Sequence, residues 1–166
     1  MMLSLSQGTA KDFKSIREIA YKTWPSTYGA ILSKEQIDYM LNLFYSEETL
    51  LENLNEKRHC FLLVNEAELC LGFASYEHNY LDKNRTHLHK IYLLPEAQGK
   101  GAGKLVMDAI ENLARKNQSV AVSLNVNRYN NALHFYKKVG FEVVSEENTE
   151  LDHGYKMEDY KMEKKL

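Results

Sequence analysis

The chain has 166 residues, a length typical of one domain with a substantial core. Its net charge is -2, and 27% of its residues are charged, so neither nucleic acid nor a membrane surface is predicted as a partner. The first twenty residues lack a basic segment followed by an apolar one, and no apolar run reaches membrane-spanning length. A cytoplasmic location is therefore the default expectation.

The N-terminal part predicts one strand and three helices. Leu3–Gln7 alternates between apolar and polar residues, as a short strand does, and Thr9 with an acid three residues later is a helix cap. The first helix is expected to end near Trp24-Pro25. Ser33-Lys34-Glu35-Gln36 is typical of a capping box that opens a second helix, and a third amphipathic segment covers about 46–54.

Two apolar segments, Cys60–Val64 and Leu69–Tyr76, predict a hairpin with a polar turn. Its cysteines, Cys60 and Cys70, are expected to face each other as small buried thiols rather than to form a functional disulfide. A polar loop is predicted from His78 to Arg85. The six histidines show no Cys/His cluster with zinc spacing, so no metal is predicted.

The most informative segment joins an apolar strand, a glycine-rich turn and a helix. Thr86–Leu93 is the predicted strand, and a helix of about Gly101–Lys116 follows three glycines within five residues. Glycine lets backbone N–H groups approach a ligand closely, and a helix start presents unpaired N–H groups and a positive dipole end. This turn therefore favours an anion, with phosphate as the first choice.

The spacing of the glycines distinguishes between the known types of phosphate-binding loop. A Walker P-loop needs Ser or Thr after Gly-Lys, whereas Gly103-Lys104 is followed by Leu105. A dinucleotide fingerprint needs Gly-x-Gly-x-x-Gly, which is longer than Gly99-Lys100-Gly101-Ala102-Gly103. The pattern that fits is Gln98-x-x-Gly101-x-Gly103.

The C-terminal part continues as alternating strands and a helix. A strand is predicted over Val120–Val126, a helix over Asn130–Val139 that ends on Gly140, and strands over Phe141–Ser145 and Gly154–Lys164. The element order along the chain predicts a mixed sheet with helices on both faces.

Two motifs in this order resemble the signatures of the GNAT N-acetyltransferases. Gln98, Gly101 and Gly103 match the acetyl-CoA pyrophosphate loop of that family. Ala132, Tyr136, Gly140 and Phe141 match its second signature, Asn-x-x-Ala-x-x-x-Tyr-x-x-x-Gly-Phe, except that Tyr129 stands at the asparagine position. Because Asn127, Asn130 and Asn131 flank that position, the asparagine that contacts the cofactor stays open.

The resemblance covers the whole chain and implies its architecture and cofactor. It implies one domain, residues 1–166, of the α/β (α+β) class, with a mixed, mostly antiparallel central sheet, flanking helices and splayed central strands. The cofactor that the resemblance implies is acetyl-CoA, with its pantetheine arm along the strand end and its pyrophosphate on the turn. The residues implied in cofactor binding are Ile91, Tyr92, Leu93, Gln98, Gly99, Lys100, Gly101, Ala102, Gly103, Lys104, Asn130 and Asn131.

Acetyl transfer to an amine needs a general acid for the thiolate and a way to deprotonate the amine. The resemblance places Tyr136 beside the cofactor sulfur, and a phenol suits a thiolate leaving group. His87 and His89 lie two residues apart on the predicted strand, so they face the same way and are candidates for the base. The region around Trp24 and Tyr28 lies over the acceptor side in the family, so these residues are candidates for the amine pocket or for helix packing.

The predicted function is direct transfer of acetyl from acetyl-CoA to a primary amine. The whole-chain pattern looks like the bacterial polyamine (spermidine/spermine-type) branch, which makes a small polyamine the first acceptor to test. Acetylation of a protein N-terminus or lysine is the enzymatic alternative, and a non-catalytic acyl-CoA-binding module is the other. Dimers are common in the family, so a homodimer is a further expectation.

Overall fold

The computed structural model describes residues 2–166, which form one mixed sheet with helices on both faces. The strands are β1 (Leu3–Gly8), β2 (Cys60–Glu66), β3 (Leu69–Glu77), β4 (Arg85–Leu93), β5 (Ala121–Asn127), β6 (Glu142–Glu150) and β7 (Lys156–Lys165). The helices are α1 (Phe13–Tyr28), α2 (Lys34–Tyr45), α3 (Glu47–Asn55), α4 (Ala102–Lys116) and α5 (Ala132–Lys138). The strand order is β1-β2-β3-β4-β5-β7-β6, and β4–β5 is the parallel pair in it.

Each face of the sheet has its own hydrophobic core. Val106, Met107 and Ile110 of α4 pack with Leu88 and Leu124 on one face. On the other face, α1, α2 and α3 bury a second cluster that includes Ile16, Leu41, Leu50, Phe61 and Phe73. Because successive strand residues point to opposite faces, the two apolar clusters fix which residues of each strand face each helical layer. No helix among residues 2–166 is long and apolar enough to cross a membrane.

Helix α1 does not end at Pro25, as the sequence predicted, but continues to Tyr28. Proline removes the N–H that would bond the carbonyl of residue 21, and Tyr21 is an exposed residue. The following turn closes normally, with Gly29 N donating to Pro25 O at 2.9 Å. Trp24 and Tyr28 therefore lie on the last turns of a helix and not in a loop.

Other boundaries differ from the prediction for local reasons. Ser33 caps α2 by accepting from Gln36 N at 3.1 Å, but the Gln36 side chain donates to Lys156 O instead of closing a capping box. The pairing of β2 with β3 sets Cys60 opposite Tyr76 and Cys70 opposite Asn65. The two cysteines thus lie at opposite ends of the hairpin, and the expectation that they face each other is wrong. Strand β6 runs to Glu150, beyond the predicted end at Ser145, because it pairs with β7 over that whole length.

Candidate active site

Strands β4 and β5 separate part-way along their length. Their parallel pairing holds from Arg85 opposite Ala121 to Leu88 opposite Leu124, four facing pairs in all, although both strands continue. Beyond this point β4 stays paired with β3, and β5 stays paired with β7. The result is a gap in the sheet with one unpaired strand edge on each side. Splayed central strands were predicted, and the structure has them.

The β4 edge offers main-chain groups to this gap. Leu94 N donates to Leu71 O at 2.8 Å, on the β3 side, so strand alternation directs the N–H and C=O groups of Ile91 and Leu93 toward the gap. A β-bulge lies at the inner end, since Ser75 faces Lys90 and Tyr76 faces Leu88. His89 has no partner across β3 and stands where the strands part. Such an edge suits an extended chain with amide groups.

The glycine-rich turn closes the outer end of the gap. Gly99 and Gly101 have φ angles of +76° and +72°, and a Cβ built at either position meets nothing within 4 Å. Gly101 is the N-cap of α4 and provides no side-chain cap, so the first amides of the helix are free for an anion. Gly103 has a different role, because its Cβ would lie 3.1 Å from the Phe135 ring. This glycine lets α4 and α5 pack closely.

One cleft of about 790 Å³ connects the gap, the turn and the lower faces of α1 and α2. It is lined by most of the predicted site residues: Trp24, Tyr28, His87, His89, Ile91, Tyr92, Leu93, Gln98, Gly99, Gly101, Ala102, Gly103, Lys104, Asn130 and Tyr136. Lys100 and Asn131 are not among the lining residues. Lys100 is paired with Glu66, and Lys104 with Asp108 at 2.8 Å, so both lysines have carboxylate partners.

Tyr136 lies on α5 with 6% of its surface exposed. Its hydroxyl has no hydrogen bond to any residue in the described range 2–166, and it lines the cleft. Burial raises the pKa of this phenol above its usual value of about 10. The group is therefore a proton donor over the whole neutral and moderately basic range.

The asparagines around the second motif serve first as local caps. Asn130 Oδ1 accepts from Ala132 N at 2.9 Å, and Asn127 Oδ1 accepts from Tyr129 N at 3.0 Å. Both asparagines line the cleft, whereas Asn131 makes no side-chain cap. Of the candidates left open by the sequence, Asn127 and Asn130 are the two within reach of a molecule in the cleft.

The two histidines of β4, His87 and His89, lie on one face, with ring centroids 4.8 Å apart. The orientation of the His87 ring is held by two contacts: its Nδ1 lies 2.8 Å from Ser123 Oγ, and the ring stacks on Tyr80. His89 Nε2 lies 2.9 Å from Glu77 Oε1. Burial lowers the pKa of His87 to about 3 and that of His89 to about 4, so both are neutral at pH 7 and each is a weaker base than an ordinary imidazole.

Glu77 also approaches His59, a residue that the sequence analysis did not consider. His59 Nε2 lies 3.5 Å from Glu77 Oε1, and the His59 ring stacks on His89 with 15° between the planes. The three side chains offer metal-ligand atoms within 4.8 Å of one another. Nearly parallel rings do not aim their in-plane lone pairs at a common point, so this arrangement favours hydrogen bonding to Glu77 over shared coordination of an ion.

An aromatic group covers the part of the cleft beneath α1. Trp24 packs on Tyr28 and Tyr92 with ring centroids 4.7 and 5.8 Å away, and the hydroxyls of Tyr28 and Tyr92 are 2.8 Å apart. Lys90 Nζ lies 4.8 Å from the centre of the Tyr45 ring. Sequence reasoning found Trp24 and Tyr28 but gave no signal for Tyr45 or Lys90, because their proximity depends on how α2 packs across β4.

Comparison with a family model decides the identity of this architecture. Residues 30–164 match the model described as an acetyltransferase (GNAT) domain. The chain belongs to the GNAT acetyltransferase family. It is an acetyl-CoA-dependent N-acetyltransferase, as the two sequence motifs predicted.

GNAT relatives align with nearly the whole chain. A spermidine N(1)-acetyltransferase of Thermoplasma acidophilum is 28% identical over 148 residues, which are 86% of this chain and 90% of that protein. The crystal structure of the PaiA N-acetyltransferase of Thermoplasma acidophilum in complex with coenzyme A is 27% identical, covers 100% of both chains and has a TM-score of 0.83. The ribosomal-protein-S18-alanine N-acetyltransferase of Escherichia coli has a TM-score of 0.74 at 17% identity over 99% of this chain and 94% of that one, a likeness of fold alone.

The residues of this GNAT chain fit acetyl-CoA. The open space over Gly99 and Gly101 accommodates a pyrophosphate next to free helix amides. The unpaired edges of β4 and β5 match the amides of a pantetheine arm. Acetyl-CoA supplies an acetyl group activated as a thioester, and the protein supplies orientation and proton transfer.

Proposed function

We propose that this enzyme transfers acetyl directly to a small primary amine, with a polyamine as the first acceptor to test. The observation that carries the proposal is the single cleft that joins the anion-binding turn to the aromatic group beneath α1. The similarity to a spermidine N(1)-acetyltransferase supports the acceptor class. A homodimer stays a prediction from the family resemblance.

Tyr136 is the proposed general acid. Its buried hydroxyl lines the cleft, has no hydrogen-bond partner among residues 2–166 and keeps its proton because burial raises its pKa. Its raised pKa keeps the proton on the hydroxyl at neutral pH, where it is positioned for donation to a departing thiolate. Its role is to donate that proton through the hydroxyl oxygen.

His89 is the proposed base, with His87 as the alternative on the same face. If Glu77 accepts the Nε2 proton of His89, as the 2.9 Å distance supports, Nδ1 is the basic atom of the ring. A carboxylate in this position orients the imidazole and stabilises the imidazolium that forms when the amine loses its proton. His87 has its Nδ1 occupied by Ser123, which leaves Nε2 as its free nitrogen.

Release of the CoA thiol tests the function. The purified chain is incubated with acetyl-CoA and a panel that contains diamines, polyamines, monoamines and peptides with free N-termini or lysines. We expect thiol release with the small amines and acetylated amine as the product by mass spectrometry. Thiol release only with the peptides would contradict the small-amine acceptor and indicate protein acetylation instead. Binding of acetyl-CoA without release for every member of the panel would contradict the proposed acceptor class.

A further inference from the structure

A buried carboxylate without a partner lies in the cleft. Asp159, on β7, is 6% exposed and belongs to the residues that line the cleft. No residue of the described range 2–166 donates a hydrogen bond to its carboxylate, and no Lys, Arg or His nitrogen there lies within 4 Å of it. Carboxylates inside proteins are normally paired with a donor or a cation, and this one faces the cleft without either. The carboxylate is therefore available to a cationic ligand in the cleft.

The strands around Asp159 explain why its charge is uncompensated. It faces Asn127 on β5 and Glu147 on β6. Arg128 is the nearby cation, but its Nε donates to the main-chain oxygen of Asp159 and its Nη2 bonds Asn148 of β6. Burial, reinforced by Glu147 and opposed by Arg128, raises the pKa of Asp159 to about 6. A carboxylate held in this way gains stability when a positive group arrives.

Asp159 lies on the acceptor side of the sheet. Strand alternation places it on the same face of β7 as Met157, which packs with the cluster beneath α1 and α2. Asp159 and Tyr28 both line the same cleft. Tyr28 belongs to the aromatic group with Trp24 and Tyr92. Aromatic faces attract ammonium groups, so the carboxylate and the rings favour the same ligand.

Four lysines line the cleft, and none has its nitrogen within 4 Å of the Asp159 carboxylate. Lys90 Nζ lies over the Tyr45 ring, Lys57 Nζ lies 3.4 Å from Glu52, and Lys104 Nζ lies 2.8 Å from Asp108. Lys156 makes no ion pair within residues 2–166. The carboxylate of Asp159 is therefore free to pair with a positive group of a bound molecule.

We propose that Asp159 binds an ammonium group of the acceptor other than the one that is acetylated, and so selects diamines and polyamines over monoamines. The proposal rests on the proposed function and makes Asp159 the residue that determines acceptor specificity. A monoamine has no second ammonium group, so it gains nothing from this carboxylate.

The test compares Asp159→Asn with the wild-type chain on two acceptors that share a four-carbon chain, 1,4-diaminobutane and n-butylamine. We expect the substitution to raise KM for the diamine at least tenfold and to leave its kcat within about twofold. The kinetic constants for the monoamine should not change. Glu158→Gln, at the neighbouring position on the opposite face of β7, is the matched control and should leave both acceptors unaffected.

Two kinetic results for the variant would overturn the proposal. An unchanged diamine KM in Asp159→Asn would show that the carboxylate does not contact the acceptor. An equal loss of kcat for both acceptors would show that Asp159 takes part in the chemistry or the fold and not in selection. The acetyl-CoA affinity of Asp159→Asn, measured by calorimetry, reports whether the variant is folded.

Failure of the proposed function is recognised separately. If the wild-type chain releases no thiol with any amine, calorimetric titration of 1,4-diaminobutane into the CoA complex still tests Asp159. Binding that is lost in Asp159→Asn and kept in Glu158→Gln supports the inference. Equal binding by both variants, or no binding by the wild-type chain, removes it. Equal kcat/KM for diamine and monoamine in the wild-type chain leaves acetyl transfer in place and overturns the selection.

Discussion

The hydroxyl oxygens of Tyr28 and Tyr92 lie 2.8 Å apart and join the last turn of α1 to the part of β4 that has separated from β5. Burial raises the pKa of both phenols, so both stay protonated and one donates to the other at neutral pH. This bond fixes the position of α1 over the cleft. It depends on the helix continuing past Pro25, since a helix that ended there would not carry Tyr28 to β4.

Tyr28→Phe and Tyr92→Phe should each lower the free energy of unfolding by about 1 kcal/mol, because each leaves one hydroxyl without its partner. The double variant should cost less than the sum of the single variants, with a coupling energy of about 0.5–1.5 kcal/mol. Urea denaturation of the four proteins measures this cycle. Strictly additive losses would show that the two hydroxyls do not interact in solution.

Tyr136→Phe should lower turnover at least tenfold and leave the affinity for acetyl-CoA nearly unchanged, since it removes the proton donor and keeps the ring. Because burial raises the pKa of Tyr136, its proton is lost only at a pH well above 10, and the group is not expected to cause a fall in activity below pH 9. Steady-state kinetics and calorimetry check both parts. Tyr129→Phe, which alters an exposed tyrosine of the same segment, is the control. Wild-type turnover in Tyr136→Phe would exclude it as the acid.

The pH dependence of kcat/KM distinguishes the two candidate bases. The pKa of His89 is lowered to about 4, so the ring is able to accept a proton above that pH and loses this ability as the pH falls through it. His89→Ala should therefore remove the acidic limb of the profile, and His87→Ala should leave it in place. Glu77→Gln should keep the limb and lower the rate, since the imidazolium loses its carboxylate. If both alanine variants retain the wild-type limb, neither histidine is the base.

Buried histidines make the fold sensitive to acid. The pKa values of His59 and His87 are lowered to about 3 in the folded chain, from about 6.5 in the unfolded chain, chiefly by burial. Between these values the unfolded state binds more protons, so stability rises with pH and is lost as the pH falls from 6.5 toward 3. The raised pKa of Asp159 acts in the opposite sense between about 4 and 6.

Unfolding in urea at pH 4 to 7 measures this effect. His87→Gln should flatten the rise of stability with pH, whereas His134→Gln, at an exposed position, should leave it unchanged. Equal slopes in His87→Gln and the wild-type chain would show that the buried imidazole is not responsible.

Two glycines of the turn should respond differently to alanine. Gly101→Ala places a side chain at φ +72° without a clash, which costs about 1–2 kcal/mol of backbone strain and weakens acetyl-CoA binding. Gly103→Ala brings a Cβ to 3.1 Å from the Phe135 ring, so the ring must move by a few tenths of an ångström, and the cost of this shift opposes the gain of about 0.5–1 kcal/mol that alanine brings to a helix. Adding Phe135→Leu should raise the stability of the Gly103→Ala variant and should not raise that of the Gly101→Ala variant. Rescue of Gly101→Ala by the same change would contradict this division of roles.

The sequence predicted the parts of this enzyme that depend on local chemistry. The strand, glycine turn and helix around Gly101 follow from residue spacing, and the hairpin after Cys60 follows from apolar runs separated by a polar turn. The splayed strands and the acetyl-CoA chemistry came from the family resemblance. The turn and the hairpin can be predicted without knowing how distant segments of the chain pack together.

The parts that sequence reasoning missed depend on tertiary packing. Pro25 signals a helix end, but burial of Trp24 and Tyr28 against β4 outweighs the loss of one helical hydrogen bond. The role of Asp159 has no local motif, because its environment comes from the pairing of β7 with β5 and β6. The bulge at His89 likewise becomes visible only from the register of two strands.

The two halves of the sheet, β1–β4 and β5–β7, are joined by only four facing residue pairs between β4 and β5. A pantetheine arm between these two strands would supply hydrogen bonds that the polypeptide does not make there. By mass action, coenzyme at a hundred times its dissociation constant adds about 2.7 kcal/mol to the free energy that opening must overcome. We therefore expect proteolysis that proceeds through this opening to slow as the coenzyme concentration rises.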